Sequence, residues 1–125
     1  MTRLDHVGLD VSDYEAGKAF YEQALAPLGM KLMMEPAPRI CGFGDDFPFF
    51  WIAQRDRGPD SGVHVAFRVD DRQTVDAFHA AALAAGGRDN GEPGVREIYH
   101  PHYYGAFVLD PDGNNVEAVC HTPAV

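Results

Sequence analysis

From Leu4 to Val11 (LDHVGLDV) the chain alternates with the two-residue period of a half-buried strand. Asp5, Val7, Leu9 and Val11 take one side, while Leu4, His6, Gly8 and Asp10 take the other. Ser12 and Glu15 supply the S-x-x-E pattern of a capping box. The helix it opens carries Phe20, Ala24 and Leu28 at four-residue spacing and ends at Gly29, a residue that accepts the left-handed conformation. Three short strands are predicted at 30–35, 39–44 and 49–53, divided by Pro36, Pro38, Asp45, Asp46 and Pro48. The first half therefore reads βαβββ.

After a polar link (QRDRGPDSG) the same order of elements begins again. Val63, Val65, Phe67 and Val69 form one face of a strand, and Asp70 with Gln73 caps a helix carrying Val75, Phe78, Ala82 and Ala85. Gly86-Gly87 ends that helix. Strands are predicted at 95–99 and 104–109, followed by Asp110-Pro111-Asp112-Gly113, which has the composition of a type I turn, and a last strand at 115–121. The second half is again βαβββ. One α+β domain is expected, in which two βαβββ modules, at about 1–54 and 62–125, form a curved, cupped mixed β-sheet with the helices on the outside.

Composition narrows the class of partner. The chain has 125 residues, 46% of them hydrophobic, which suffices for a proper core. Ten basic residues against nineteen acidic ones leave a net charge of −9, which argues against nucleic acid and anionic membranes, since both reward Lys and Arg clusters. Small molecules are the expected partners. Cys41 and Cys120 fall in predicted strands and outside any C-x-x-C spacing, and no signal-peptide pattern opens the sequence, so a reducing, cytoplasmic setting is expected.

The strand patterns also sort the chemistry. With Val63, Val65, Phe67 and Val69 facing the helix, His64, Ala66 and Arg68 turn to the opposite face. In the last strand Val116, Ala118 and Cys120 are the small apolar set, which leaves Glu117, Val119 and His121 on the open side. His6 lies on the open face of the first strand. A lone strand histidine is more often a hydrogen-bonded polar residue than a ligand. Two histidines and a carboxylate placed together by their neighbours' periodicity point instead to a facial triad for Fe, Mn, Zn or Ni, with positions left open for substrate. His100-Pro101-His102-Tyr103-Tyr104 sets imidazoles and phenols beside a predicted cleft strand. His100 and Tyr104 are candidates for a general acid or base, and an aromatic loop packed over the sheet edge is the alternative. Phe43, Phe49, Phe50 and Trp51 read as an apolar cleft wall or as core.

LDHVGLDVSD with AFYEQAL, GVHVAFRVDD, and AFVLDPDGNNVEAV together resemble the vicinal-oxygen-chelate superfamily, which includes glyoxalase I, extradiol dioxygenases and bleomycin-resistance proteins. The last segment is the most specific, because D-P-D-G-N-x-x-E is the family's turn into its final metal ligand. The resemblance covers essentially the whole chain and implies a glyoxalase-like fold, with a divalent metal held by His6, His64 and Glu117. It implies a metal-dependent lyase, isomerase or dioxygenase-like enzyme. The alternative it implies is a metal-free, drug-sequestering protein of the bleomycin-resistance type. Three departures from the pattern are visible. The strand FFWIA lacks the fourth ligand of glyoxalase I, Phe107 stands where extradiol dioxygenases carry a tyrosine, and Arg68 is the one evident cleft-facing base. The resemblance further implies a homodimer in which His6 meets the partner's His64 and the partner's Glu117.

Overall fold

Val7–Asp10 form strand β1, and the chain then turns into helix α1, Tyr14–Leu25. The buried residues of α1 are Tyr14, Gly17, Phe20, Tyr21, Ala24 and Leu25, a stripe at three- and four-residue steps that lies on the sheet. Its cap is Asp13 and not the expected Ser12. The Asp13 carboxylate accepts from the Ala16 N–H at 3.1 Å, while the Ser12 N–H donates to Asp112 across the molecule. Helix α2, Arg72–Ala84, shows the same one-residue displacement, with Asp71 accepting from the Thr74 N–H at 2.7 Å in place of Asp70. In each module two short polar residues compete for the cap, and the one with extended backbone directly before the first helical residue takes it. Gly29 adopts a left-handed φ of 78° and closes a short 3₁₀ turn over Ala26–Leu28, as its position promised.

The first module continues through β2 (Lys31–Ala37), β3 (Ile40–Gly44) and β4 (Pro48–Ala53), in the spatial order β1-β4-β3-β2. Only β1 and β4 run parallel. Pro36 is tolerated inside β2 because that strand is an edge and its register slips there. The second module comprises β5 (His64–Val69), α2, β6 (Arg88–Val95), β7 (Tyr104–Leu109) and β8 (Asn115–Cys120), in the matching order β5-β8-β7-β6. Here the sequence misled: β6 lies seven residues before the strand expected at 95–99. RDNGEPGV has the composition of a loop, yet as an edge strand it needs a partner on one side only and absorbs its Gly and Pro residues in register shifts around Gly91.

The computed structural model describes residues 1–124, so the expected module end at Val125 lies outside the described residues. Each sheet carries its helix on one face and leaves the other open. One core joins the modules: the Phe50 and Phe67 rings meet edge to face at 5.4 Å, and α1 packs against α2. A polar tie reinforces it. The Tyr21 hydroxyl on α1 donates to Asp110 at 2.5 Å in the turn between β7 and β8, with both residues buried. Removing that hydroxyl leaves a buried carboxylate short of one donor. Tyr21→Phe should lower stability by about 1.5–3 kcal/mol, the range for hydrogen bonds to charged groups, read as a fall in the urea midpoint at unchanged slope.

Candidate metal and substrate site

On the open face of the second sheet, register places Ala66 opposite Glu117 from one side and Phe107 opposite it from the other. Glu117 is 1% exposed and has both carboxylate oxygens engaged. His64 Nε2 lies 2.7 Å from Oε1, and the Tyr103 hydroxyl donates to Oε2. A buried carboxylate is strongly destabilising unless such partners surround it. Gly105 makes the second contact possible, since a Cβ there would sit 3.1 Å from Glu117 Oε2 and 3.2 Å from the Tyr103 ring. His64 remains about half exposed and opens to the cleft. Burial, then the hydrogen bond to Glu117, raise the Tyr103 pKa well above the ordinary phenol range, so this hydroxyl stays a donor.

His6 occupies the matching place in the other module. It lies two residues before Gly8, which pairs with Trp51, just as His64 lies two residues before Ala66, which pairs with Glu117. Trp51 thus stands where the second module has its carboxylate. Its ring lies over Gly42, where a Cβ would come within 2.9 Å of the indole. The His6 imidazole is exposed and bonds Asp5 at 2.7 Å. It lines a cavity of about 420 Å³ together with Asp10, Trp51, Arg55 and Arg57. Asp10 is buried there beneath ion pairs from Arg57 and Arg55.

Two of the three expected ligands are therefore adjacent and the third is on the other sheet. Among the described residues no group of three His, Cys, Asp or Glu converges as a metal cage within one chain. The pair itself suits a divalent ion: an imidazole nitrogen and a carboxylate oxygen meet, with the other carboxylate oxygen held by a phenol.

Tyr104 does not share the cleft face. Alternation along β7 puts Tyr104, Ala106 and Val108 on the helix side, where the Tyr104 hydroxyl donates to Asp76 of α2 at 2.6 Å and the ring packs under Arg72. The expectation for Tyr104 is corrected by one residue, because parity with Phe107 and Gly105 assigns the cleft to Tyr103. That parity was available in the sequence. His100 lies near the site, its ring 5.6 Å from that of Tyr103 and its Nε2 2.8 Å from His121 Nδ1. Of the supposed aromatic wall, Phe43 and Phe50 are core, while Phe49 and Trp51 are half-buried.

A model of the glyoxalase/bleomycin resistance protein/dioxygenase superfamily matches residues 3–118. The chain belongs to that superfamily. A glyoxalase/bleomycin resistance protein from Albidiferax ferrireducens T118 is 29% identical over 92% of this chain and 95% of its own, with a TM-score of 0.79. A glyoxalase/bleomycin resistance protein/dioxygenase family enzyme from Burkholderia phytofirmans PsJN is 22% identical, covering 97% and 100%, with a TM-score of 0.76. A lactoylglutathione lyase from Agrobacterium tumefaciens is 18% identical, covering 95% and 93%, with a TM-score of 0.67. At these last two identities the likeness is one of fold alone. No curated protein sequence matches the chain.

The geometry around Tyr103 sets a test. Burial and the neighbouring carboxylate both favour its protonated form, so it should remain un-ionised at about pH 10, the ordinary tyrosine value. In a near-UV absorbance titration, Tyr103→Phe should leave the tyrosinate signal below that pH unchanged. A lost ionisation step would show the phenol to be solvated.

Proposed function

We propose that this superfamily member is a metal-dependent enzyme acting on a small oxygenated substrate, with Fe, Mn, Zn or Ni held by His64 and Glu117 of one subunit and the His6 of a second. The observation that carries this reading is the buried Glu117 carboxylate facing the half-exposed His64 at 2.7 Å in the second sheet. A divalent ion would supply Lewis-acid polarisation of a substrate oxygen. The chain's own groups set the conditions for it. Tyr103 occupies Glu117 Oε2 and leaves Oε1 alone for ligation, which keeps coordination positions free. His100 is the candidate acid or base, and Tyr103 takes the donor role expected of Tyr104.

Without the carboxylate that Trp51 replaces, the donor set is two histidines and one glutamate. A four-ligand glyoxalase site is not supported. The pairing of Glu117 with His64 and Tyr103 also favours a second reading, a metal-free binding protein of the bleomycin-resistance type, because the carboxylate is satisfied without an ion. Two free, buried cysteines support a reducing, cytoplasmic setting, and among the described residues no helix is long and apolar enough to cross a membrane.

Elemental analysis followed by metal titration separates the two readings. His64→Ala and Glu117→Ala should stay folded and lose metal by more than the roughly 10–100-fold expected of an outer-shell change, while Tyr103→Phe should fall within that range. A parent protein that takes up no metal would remove the first reading.

The shared site has its own test. His6→Ala should weaken metal binding as His64→Ala does, and metal affinity should fall on dilution below the dimer dissociation constant. Sedimentation with metal titration across a dilution series reads both. A 13.7 kDa monomer that binds metal at full strength would refute the dimer and the divided ligand set.

A further inference from the structure

His100 and His121 form a hydrogen-bonded pair whose direction can be worked out. The His102 backbone N–H donates to His100 Nδ1 at 3.1 Å, so that nitrogen is unprotonated and a neutral His100 carries its proton on Nε2. From Nε2 it donates to His121 Nδ1 at 2.8 Å. His121 must then hold its own proton on Nε2, for which no protein acceptor is present among the described residues. The two rings lie within 29° of parallel, and His121 packs edge to face on Tyr103 at 5.3 Å. Burial, the nearby Arg68 charge and His100 hold the His121 pKa below its ordinary value, against a weaker opposing effect of Glu117. The pair ends in an N–H that no protein group accepts among the described residues.

Arg68 stands on the same face of the second sheet. It lies two residues beyond Ala66, the strand neighbour of Glu117, which is about 7 Å along β5. Lys18, Arg55 and Arg57 have carboxylate partners; Arg68, like the other six basic residues, has none within ion-pair distance among the described residues. It borders a recess of about 190 Å³ with Met30, Phe49 and Ala66, and Asp45 also lines that recess without pairing. Arg68 and His121 offer donors and no acceptor, which is the complement of an oxyanion.

We propose that Arg68 and His121 form a carboxylate-binding subsite, with His100 as the positioning residue that fixes the donor tautomer of His121. The substrate is then an organic acid whose carboxylate is held about two strand residues away from the group bound beside Glu117. This placement rests on the metal reading of His64 and Glu117.

The test uses two chelating probes with the same metal-binding head and size, 4-carboxybenzohydroxamate and 4-carbamoylbenzohydroxamate, titrated calorimetrically into nickel-loaded protein. The acid should bind about tenfold more tightly than the amide, the scale of one charge-assisted contact. Arg68→Gln should abolish that preference and His121→Phe should reduce it, both at unchanged nickel affinity, while Glu117→Gln should lose both probes. Equal affinities in the parent, or a preference that survives Arg68→Gln, would overturn the subsite and leave the metal reading intact. If neither nickel nor Fe, Mn or Zn binds, the metal reading fails alone. Benzoate against benzamide, followed by NMR on the metal-free protein, then decides the subsite: an Arg68-dependent preference for benzoate supports it and its absence overturns it.

Discussion

The arrangement depends on one buried carboxylate that has no cation beside it. Asp110 is 2% exposed and is stabilised by donors alone: the Tyr21 hydroxyl, the backbone N–H groups of Asp112 and Asn114, and the Asn114 side-chain amide. Charge-assisted hydrogen bonds of this kind offset the cost of removing a carboxylate from water, and they do so only in one geometry. Asn114 extends the network by donating to the Asp60 carbonyl and accepting from the Val63 N–H. The turn before β8 is thereby tied to the first helix, to the linker and to the start of β5. Those ties set the β5–β8 register that brings His64 and Glu117 together.

The same frame, used twice, holds different chemistry because large and small residues trade places across it. In the first module Trp51 faces Gly42, and in the second Glu117 faces Phe107 at the corresponding pairing. The indole needs a glycine beneath it, whereas the carboxylate needs donors, which arrive from His64 and from Tyr103 over Gly105. Each module therefore carries one histidine at the same station, beside a buried carboxylate in the second and beside the exposed Asp5 in the first.

How much of this the sequence disclosed followed the strength of each local signal. β5 announces its alternation through Val63, Val65, Phe67 and Val69, and β8 through Val116, Ala118 and Cys120, so the shared face of His64 and Glu117 was legible in the sequence. Helix ends were legible to within a residue, since Ser12-Asp13 and Asp70-Asp71 each offer two competent caps and only the surrounding fold chooses between them. β6 was not legible: its stability comes from pairing with β7 and not from its own Gly- and Pro-containing segment. Tyr103 and Tyr104 show a subtler loss. Both are tyrosines at the head of β7, and a shift of one residue exchanges contact with Glu117 for the helix face.

The division of the histidines between modules constrains how the site can be completed. His6 does not converge with His64 and Glu117 among the described residues, so joining them within one chain would require the modules to move against each other. The Phe50–Phe67 contact and the buried Tyr21–Asp110 bond oppose that movement, because both would have to part and leave apolar rings and a carboxylate unpartnered. A second copy requires no such rupture. Its first module can present His6 and its 420 Å³ cavity to the open face around Glu117, and twofold symmetry then repeats the contact. Under the proposed metal reading, the packing between the modules is thus the physical reason for expecting two chains to share the ligands.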